Sequence, residues 1–234
     1  MDDQALKTFY QNQVNKTVEY LEKKNRILFV VTSNRYGNEK AKSTLLAEKI
    51  AGRLAGKVKI INAAKLKIYQ CEGNVSLTSG NRCGAQDAKL NSKSKNPSGQ
   101  HRCWASINNP DDELWRISQE LFASEVVVFF GSIRWGQMNA VYQKLIERLT
   151  WIENRHVTLG ESNLLANTEV GLICLGHNWY GDEVIATQKK VMDFYGFKVV
   201  NELFWHWQFV NDSGQESLES YQEDAREFKE IFLK

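Results

Sequence analysis

Ser33, Arg35, Asn38, Ser43 and Thr44 lie close together, just after an apolar run at 27–31. Three hydroxyls, an amide and a guanidinium are the donors that hold an anion's oxygens. A helix starting behind them would add free N–H groups and the positive end of its dipole. Ser43 and Thr44 suit a plain helix cap equally well. A second group, Gly131-Ser132-Ile133-Arg134-Trp135-Gly136, closes the apolar run 126–130. An aromatic and a glycine at a strand end suit a planar ligand lying against the loop. A third group, Gly176-His177-Asn178, closes the run 170–175.

These groups need strand ends and helix starts to position them. The short apolar runs at 26–32, 58–62, 126–130, 170–175 and 197–209 predict strands. Helical apolar spacing marks 43–54, 112–123, a stretch after Asn139, 182–195 and 218–233. Five strand–helix units predict an α/β fold with a doubly wound, five-stranded parallel sheet in the order 2-1-3-4-5. That order puts its switch point between strands 1 and 3, where the first two groups sit. The expected organisation is a single flavodoxin-like domain over 1–234. Residues 1–25 form an N-terminal helical extension, with Leu6, Phe9, Tyr10, Val14, Val18 and Leu21 on one face. Residues 63–110 form a long insertion after strand 2, polar and irregular enough to be a mobile lid or dimer arm anchored by Trp104. Lys144, Glu147 and Arg148 have the spacing of a surface ion-pair ladder.

Composition narrows the functions. A charge of +2, from 30 basic and 28 acidic residues, gives no electrostatic case for nucleic acid or an anionic membrane. No apolar run approaches the roughly 18 residues of a spanning helix. The first 24 residues lack a signal peptide's apolar core, so the expected compartment is the cytoplasm. Neither Gly-x-x-x-x-Gly-Lys-Ser/Thr nor Gly-x-Gly-x-x-Gly is present. A hydroxyl-lined loop without either fingerprint is what the phosphate of flavin mononucleotide (FMN) needs. Cys71, Cys83 and Cys103, with His101 near the last, have spacings of no common zinc or cluster signature. They are expected to be structural thiols and no metal is expected, the alternatives being a Cys₃His zinc site or a redox pair. Cys174 falls in a core strand.

The chain resembles the NADPH-dependent FMN reductase family. Thr32-Ser33-Asn34-Arg35-x-Gly37-Asn38 is similar to that family's Gly-Ser-Pro-Arg phosphate loop. Gly131 to Gly136, followed by Lys144-Leu145-Ile146-Glu147-Arg148, is similar to its Ser-Pro-Val-Tyr-Trp-Gly…Lys-x-Phe-Ile-Asp-Arg segment, with Arg134 replacing the tyrosine. The resemblance implies non-covalent FMN reduced by NAD(P)H in a homodimer or homotetramer, passing electrons to a small acceptor such as a quinone or free flavin. It assigns the phosphate to Ser33, Arg35, Asn38, Ser43 and Thr44. It assigns the ring to Ser132, Ile133, Arg134, Trp135 and Gly136, and a third flavin loop to Gly176, His177 and Asn178. Flavin carries the chemistry, so no catalytic acid or base is named, and Arg134 is the candidate tuning charge. The competing functions are an electron-transfer flavoprotein acting with protein partners, and a metal-binding or interaction protein on the same scaffold.

Overall fold

A computed structural model describes residues 3–35, 39–177, 179–210 and 213–234. Of the expected site residues, Asn38 and Asn178 lie outside them. Among the described residues six strands form: β1 (Ile27–Val31), β2 (Val58–Asn62), β3 (Val126–Arg134), β4 (Gln137–Met138), β5 (Glu169–Gly176) and β6 (Lys198–Gln208). Five run parallel in the order β2-β1-β3-β5-β6, which is the winding expected from the strand–helix units. The expected strand count of five is corrected to six. β3 does not stop at Phe130 but continues to Arg134, turns at Trp135-Gly136 and pairs antiparallel with β4. Trp135 and Gly136 both have positive φ, 52° and 69°, which is the backbone of a tight hairpin turn.

The continuous apolar strands follow from burial on both faces. Leu28, Val30, Val127, Phe129, Leu172 and Cys174 point to one face, against α4 (Leu114–Ala123), α5 (Ala140–Val157) and α6 (Gly181–Phe194). Ile27, Phe29, Val31, Val128, Phe130, Ile173 and Trp207 point to the other, against α1 (Asp3–Leu21), α2 (Lys42–Gly52) and α7 (Leu218–Phe232). The N-terminal helix docks with most of the expected face: Tyr10, Val14, Val18 and Leu21 are buried, Phe9 is exposed, and Thr17 accepts a hydrogen bond from Trp205 Nε1 at 3.0 Å.

Residues 63–110 are irregular but tied down. α3 (Trp104–Asn108) is the longest helix within them. Arg148 of α5 is fully buried at their base. It donates to both oxygens of Asp112 (2.9 and 3.0 Å), to Tyr69 O (2.7 Å) and to Ser106 Oγ (3.0 Å). Arg148 is therefore no part of a surface ladder with Lys144 and Glu147, because the segment covers the outer side of α5. Burial raises the Asp112 carboxyl, but the hydrogen bonds and charge of Arg148 outweigh this and hold it below the usual carboxylate range. Asn81 reaches Asn154 Oδ1 at 2.7 Å, and Arg155 reaches Gln100 O at 2.9 Å. The buried ring of His101 bridges Ser118 and Ser106, each at 2.9 Å. Trp104 Nε1 donates to Arg82 O at 2.9 Å, within the segment itself. The expected lid is thus a docked pad on α4 and α5.

Candidate functional site

A cleft of about 360 Å³ opens at the C-terminal ends of β1, β3 and β5, the switch point of the sheet. Its floor is two loops stitched by Asn139. That side chain caps α5 by accepting from Tyr142 N (3.1 Å) and donates to Thr32 Oγ1 (3.2 Å), while Thr32 Oγ1 donates to Phe130 O (3.1 Å). Gly131 permits the stitch. A Cβ there would lie 2.5 Å from Met138 Cε and 2.9 Å from Thr32 Oγ1.

One end of the cleft is the start of α2. Its N-cap, Ala41, makes no side-chain cap and its first turn holds no acidic residue. Ser33 and Ser43 line this end, 7% and 2% exposed, and neither hydroxyl has a hydrogen-bond partner among the described residues. Ser43 and Thr44 therefore do not cap α2. Arg35 also lines the cleft, at its exposed margin, with its guanidinium 2.8 Å from Glu39. Thr44 is not among the lining residues.

A second wall is aromatic. Ser132, Ile133, Arg134 and Trp135 line it, with Trp135 85% exposed. Trp135 meets Trp179 edge-on at 5.8 Å, and Trp179 meets Tyr180 at 6.0 Å. Gly136 lies under Tyr180, where a Cβ would approach to 2.8 Å. Trp135, Trp179 and Tyr180 have φ of 52°, 59° and 54°. Left-handed backbone at a bulky residue is strained, and such strain gathers at functional sites. Trp179 and Tyr180 were missed in the sequence; aromatics following Gly176 were the available signal.

The third wall, α7, was missed as well. Gly176 and His177 line the cleft as expected, but His177 is held by α7. Its Nδ1 faces Asp224 Oδ2 at 3.2 Å and its Nε2 faces Ser220 Oγ at 3.1 Å. Tyr221 stacks on it at 3.8 Å. Asp224 also pairs with Lys42, the first residue of α2, whose ammonium lies 5.2 Å from the Trp207 ring centroid. Burial pushes Lys42 below the usual lysine range in spite of that carboxylate. Asp224 Oδ1, Trp179 Nε1 and Trp207 Nε1 are buried without partners among the described residues. Among the described residues ten buried side-chain nitrogens and oxygens lack a partner, and five of them belong to residues lining this one cleft. Buried polar groups are ordinarily paired, so this concentration singles out the cleft as the candidate ligand site.

Elsewhere the thiols are quiet. Burial pushes Cys83 up to about 12 and raises Cys103 and Cys174, so all three stay protonated. Cys103 accepts from Arg148 at 3.4 Å, and both ring nitrogens of His101 are engaged. Among the described residues no group of three or more His, Cys, Asp or Glu is placed to hold a metal ion. No helix among them is long and apolar enough to cross a membrane.

No family model matches the chain, and no curated protein matches its sequence. Solved structures do match. RosB with a bound intermediate, 8-demethyl-8-formylriboflavin-5'-phosphate, superposes with a TM-score of 0.59 at 12% identity, over 88% of this chain and 74% of that one. An azoreductase from Bacillus anthracis str. Sterne gives 0.48 at 12% identity, over 89% and 97%. An NAD(P)H:quinone oxidoreductase from Methanothermobacter marburgensis gives 0.48 at 9%, over 88% and 94%. Of the three, RosB bears on the fold. Its likeness supports a flavodoxin-like α/β fold.

Proposed function

We propose that this protein is an FMN-dependent oxidoreductase that takes electrons from NAD(P)H and passes them to a small acceptor such as a quinone or a free flavin. The observation that carries the reading is the set of unpaired polar atoms in the cleft, arranged between an uncapped helix start and an aromatic wall. The residues fit the group. Ser33 and Ser43 offer two idle hydroxyls beside the free amides of α2, where a phosphate's oxygens are favoured. Ile133, Arg134 and Trp135 form the shelf for a flat ring, with Gly136 behind them in the hairpin turn and Gly176 and His177 on the adjoining wall. RosB, the neighbour of similar fold, holds a riboflavin 5'-phosphate derivative.

Bound there, FMN would supply the two-electron chemistry between nicotinamide and acceptor, and the chain would supply binding, orientation and tuning. The idle hydroxyls and the α2 amides would anchor one end. Arg134 would set a positive charge beside the other. Trp135, standing free at the hairpin tip, would flank the space left for a second flat molecule.

The test is reconstitution. Flavin-free protein is mixed with FMN, FAD or riboflavin, desalted, and its retained flavin identified by chromatography and mass. Stoichiometric FMN and FMN-dependent NAD(P)H oxidation with a quinone are expected. Retention of FAD in preference, or of no flavin, refutes the proposal.

A further inference from the structure

Resting on that reading of the cleft, we propose that Lys42 is the principal cation for the ligand's phosphate, and that Asp224 of α7 competes with the phosphate for it. Lys42 opens α2, next to the idle hydroxyl of Ser43 and the uncapped helix start. Its side chain is 18% exposed, against 46% for Arg35, which is already paired with Glu39. Arg35 is the cation that sequence alone suggests; Lys42 is the one held inside the cleft wall. Among the described residues the carboxylate that pairs with Lys42 is that of Asp224, itself 7% exposed and shared with His177.

Two buried opposite charges offset their desolvation only while paired. The lysine must therefore keep an anion, and two are on offer: the α7 carboxylate, or a phosphate on the Ser33 and Ser43 hydroxyls. An ammonium has three donors and can turn between them. Trp207 and Phe228, with centroids 5.2 and 5.8 Å from Nζ, hold the stem in place for either partner. The phosphate also meets the Asp224 charge as a like-charge neighbour. Asp224 then lowers affinity for the phosphate while leaving the ring end untouched.

The measurement is the ratio of FMN to riboflavin affinity, titrated calorimetrically on flavin-free protein, because only the phosphate distinguishes the two. Lys42→Met keeps the packing of the stem and removes the charge. It should weaken FMN by roughly tenfold or more, the worth of a charge-assisted hydrogen bond. Riboflavin affinity should hold, and Lys42→Arg should restore most of the loss. Asp224→Asn should tighten FMN severalfold with riboflavin again unchanged. Retained riboflavin binding in each variant shows that the cleft is folded. A Lys42→Met ratio equal to wild type overturns the proposal. So does an Asp224→Asn variant that loses FMN affinity as Lys42→Met does, since Asp224 would then merely hold the lysine in position. If the wild type binds neither flavin, the reading of the cleft fails first.

Discussion

Ser43→Ala should move stability and binding in opposite directions. Ser43 is 2% exposed and its hydroxyl has no partner among the described residues. A buried polar group left unsatisfied costs about 1–3 kcal/mol. Its removal, with alanine replacing serine in the first turn of α2, should therefore stabilise the flavin-free protein by about 1 kcal/mol or more. At this chain length each kcal/mol raises Tm by about 2–4 °C. In the complex the same change deletes a hydrogen bond to a charged phosphate, worth about 1.5–3 kcal/mol. Affinity for FMN should fall roughly 10–150-fold. Thermal melts of flavin-free protein and FMN titrations read the two effects separately, and Ser33→Ala should behave alike. A Ser43→Ala protein that melts lower and binds FMN unchanged would show a structural hydroxyl, and unpaired atoms would then not mark the ligand's place.

Trp135→Gly should behave similarly for a different reason: glycine relieves the left-handed backbone, a gain of about 1 kcal/mol, while FMN affinity falls; a lower Tm would refute it. Asp112→Ala leaves the Arg148 charge buried and alone, which costs about 3–5 kcal/mol in urea denaturation. A cost under about 1 kcal/mol would show that water reaches the site. Flavin binding by the folded protein should persist, because no residue of that network lines the cleft. Stability should also decline in acid. Burial pushes His101 from 6.5 to about 4, so between those values the unfolded chain binds a proton that the folded chain refuses. The contribution is complete above about pH 6.5, is lost as pH falls toward 4, and amounts to at most about 3 kcal/mol. Asp112, depressed by Arg148 against its own burial, adds loss in the same direction at lower pH. Equal urea midpoints at pH 7.5 and 4.5 would refute this, and His101→Asn should flatten the slope above pH 4.

The sheet was legible because the central parallel strands β1, β3 and β5, buried on both faces, leave unbroken apolar runs, and five strand signals alternated with helical spacing. The two loops at the switch point were legible from residue type. The hairpin at their centre was not. A tight turn with positive φ at both positions usually announces itself as Asn-Gly or Asp-Gly, and Trp135 in that role carries strain that no local preference predicts. Arg148 was misread for a related reason. Spacing along one helix reports neighbours on that helix, whereas its partners come from Tyr69, Ser106 and Asp112, brought in by tertiary packing.

The α7 wall did leave a trace. Ser217, Ser220, Tyr221, Asp224 and Phe228 recur at spacings of three and four, so they share one helical face. Phe228 at the far end is buried, and the near end carries hydroxyls and a carboxylate. A helix face that must enter a protein and is apolar along its whole length finds only core. One that turns polar partway, on the same stripe, has to meet polar partners there or bear the full cost of burying unpaired groups. In this chain those partners are His177 and Lys42, at the ends of two other elements. A polar stretch continuing an apolar helical stripe is therefore a sign of a site wall, and the order of residues along the chain is enough to reveal it.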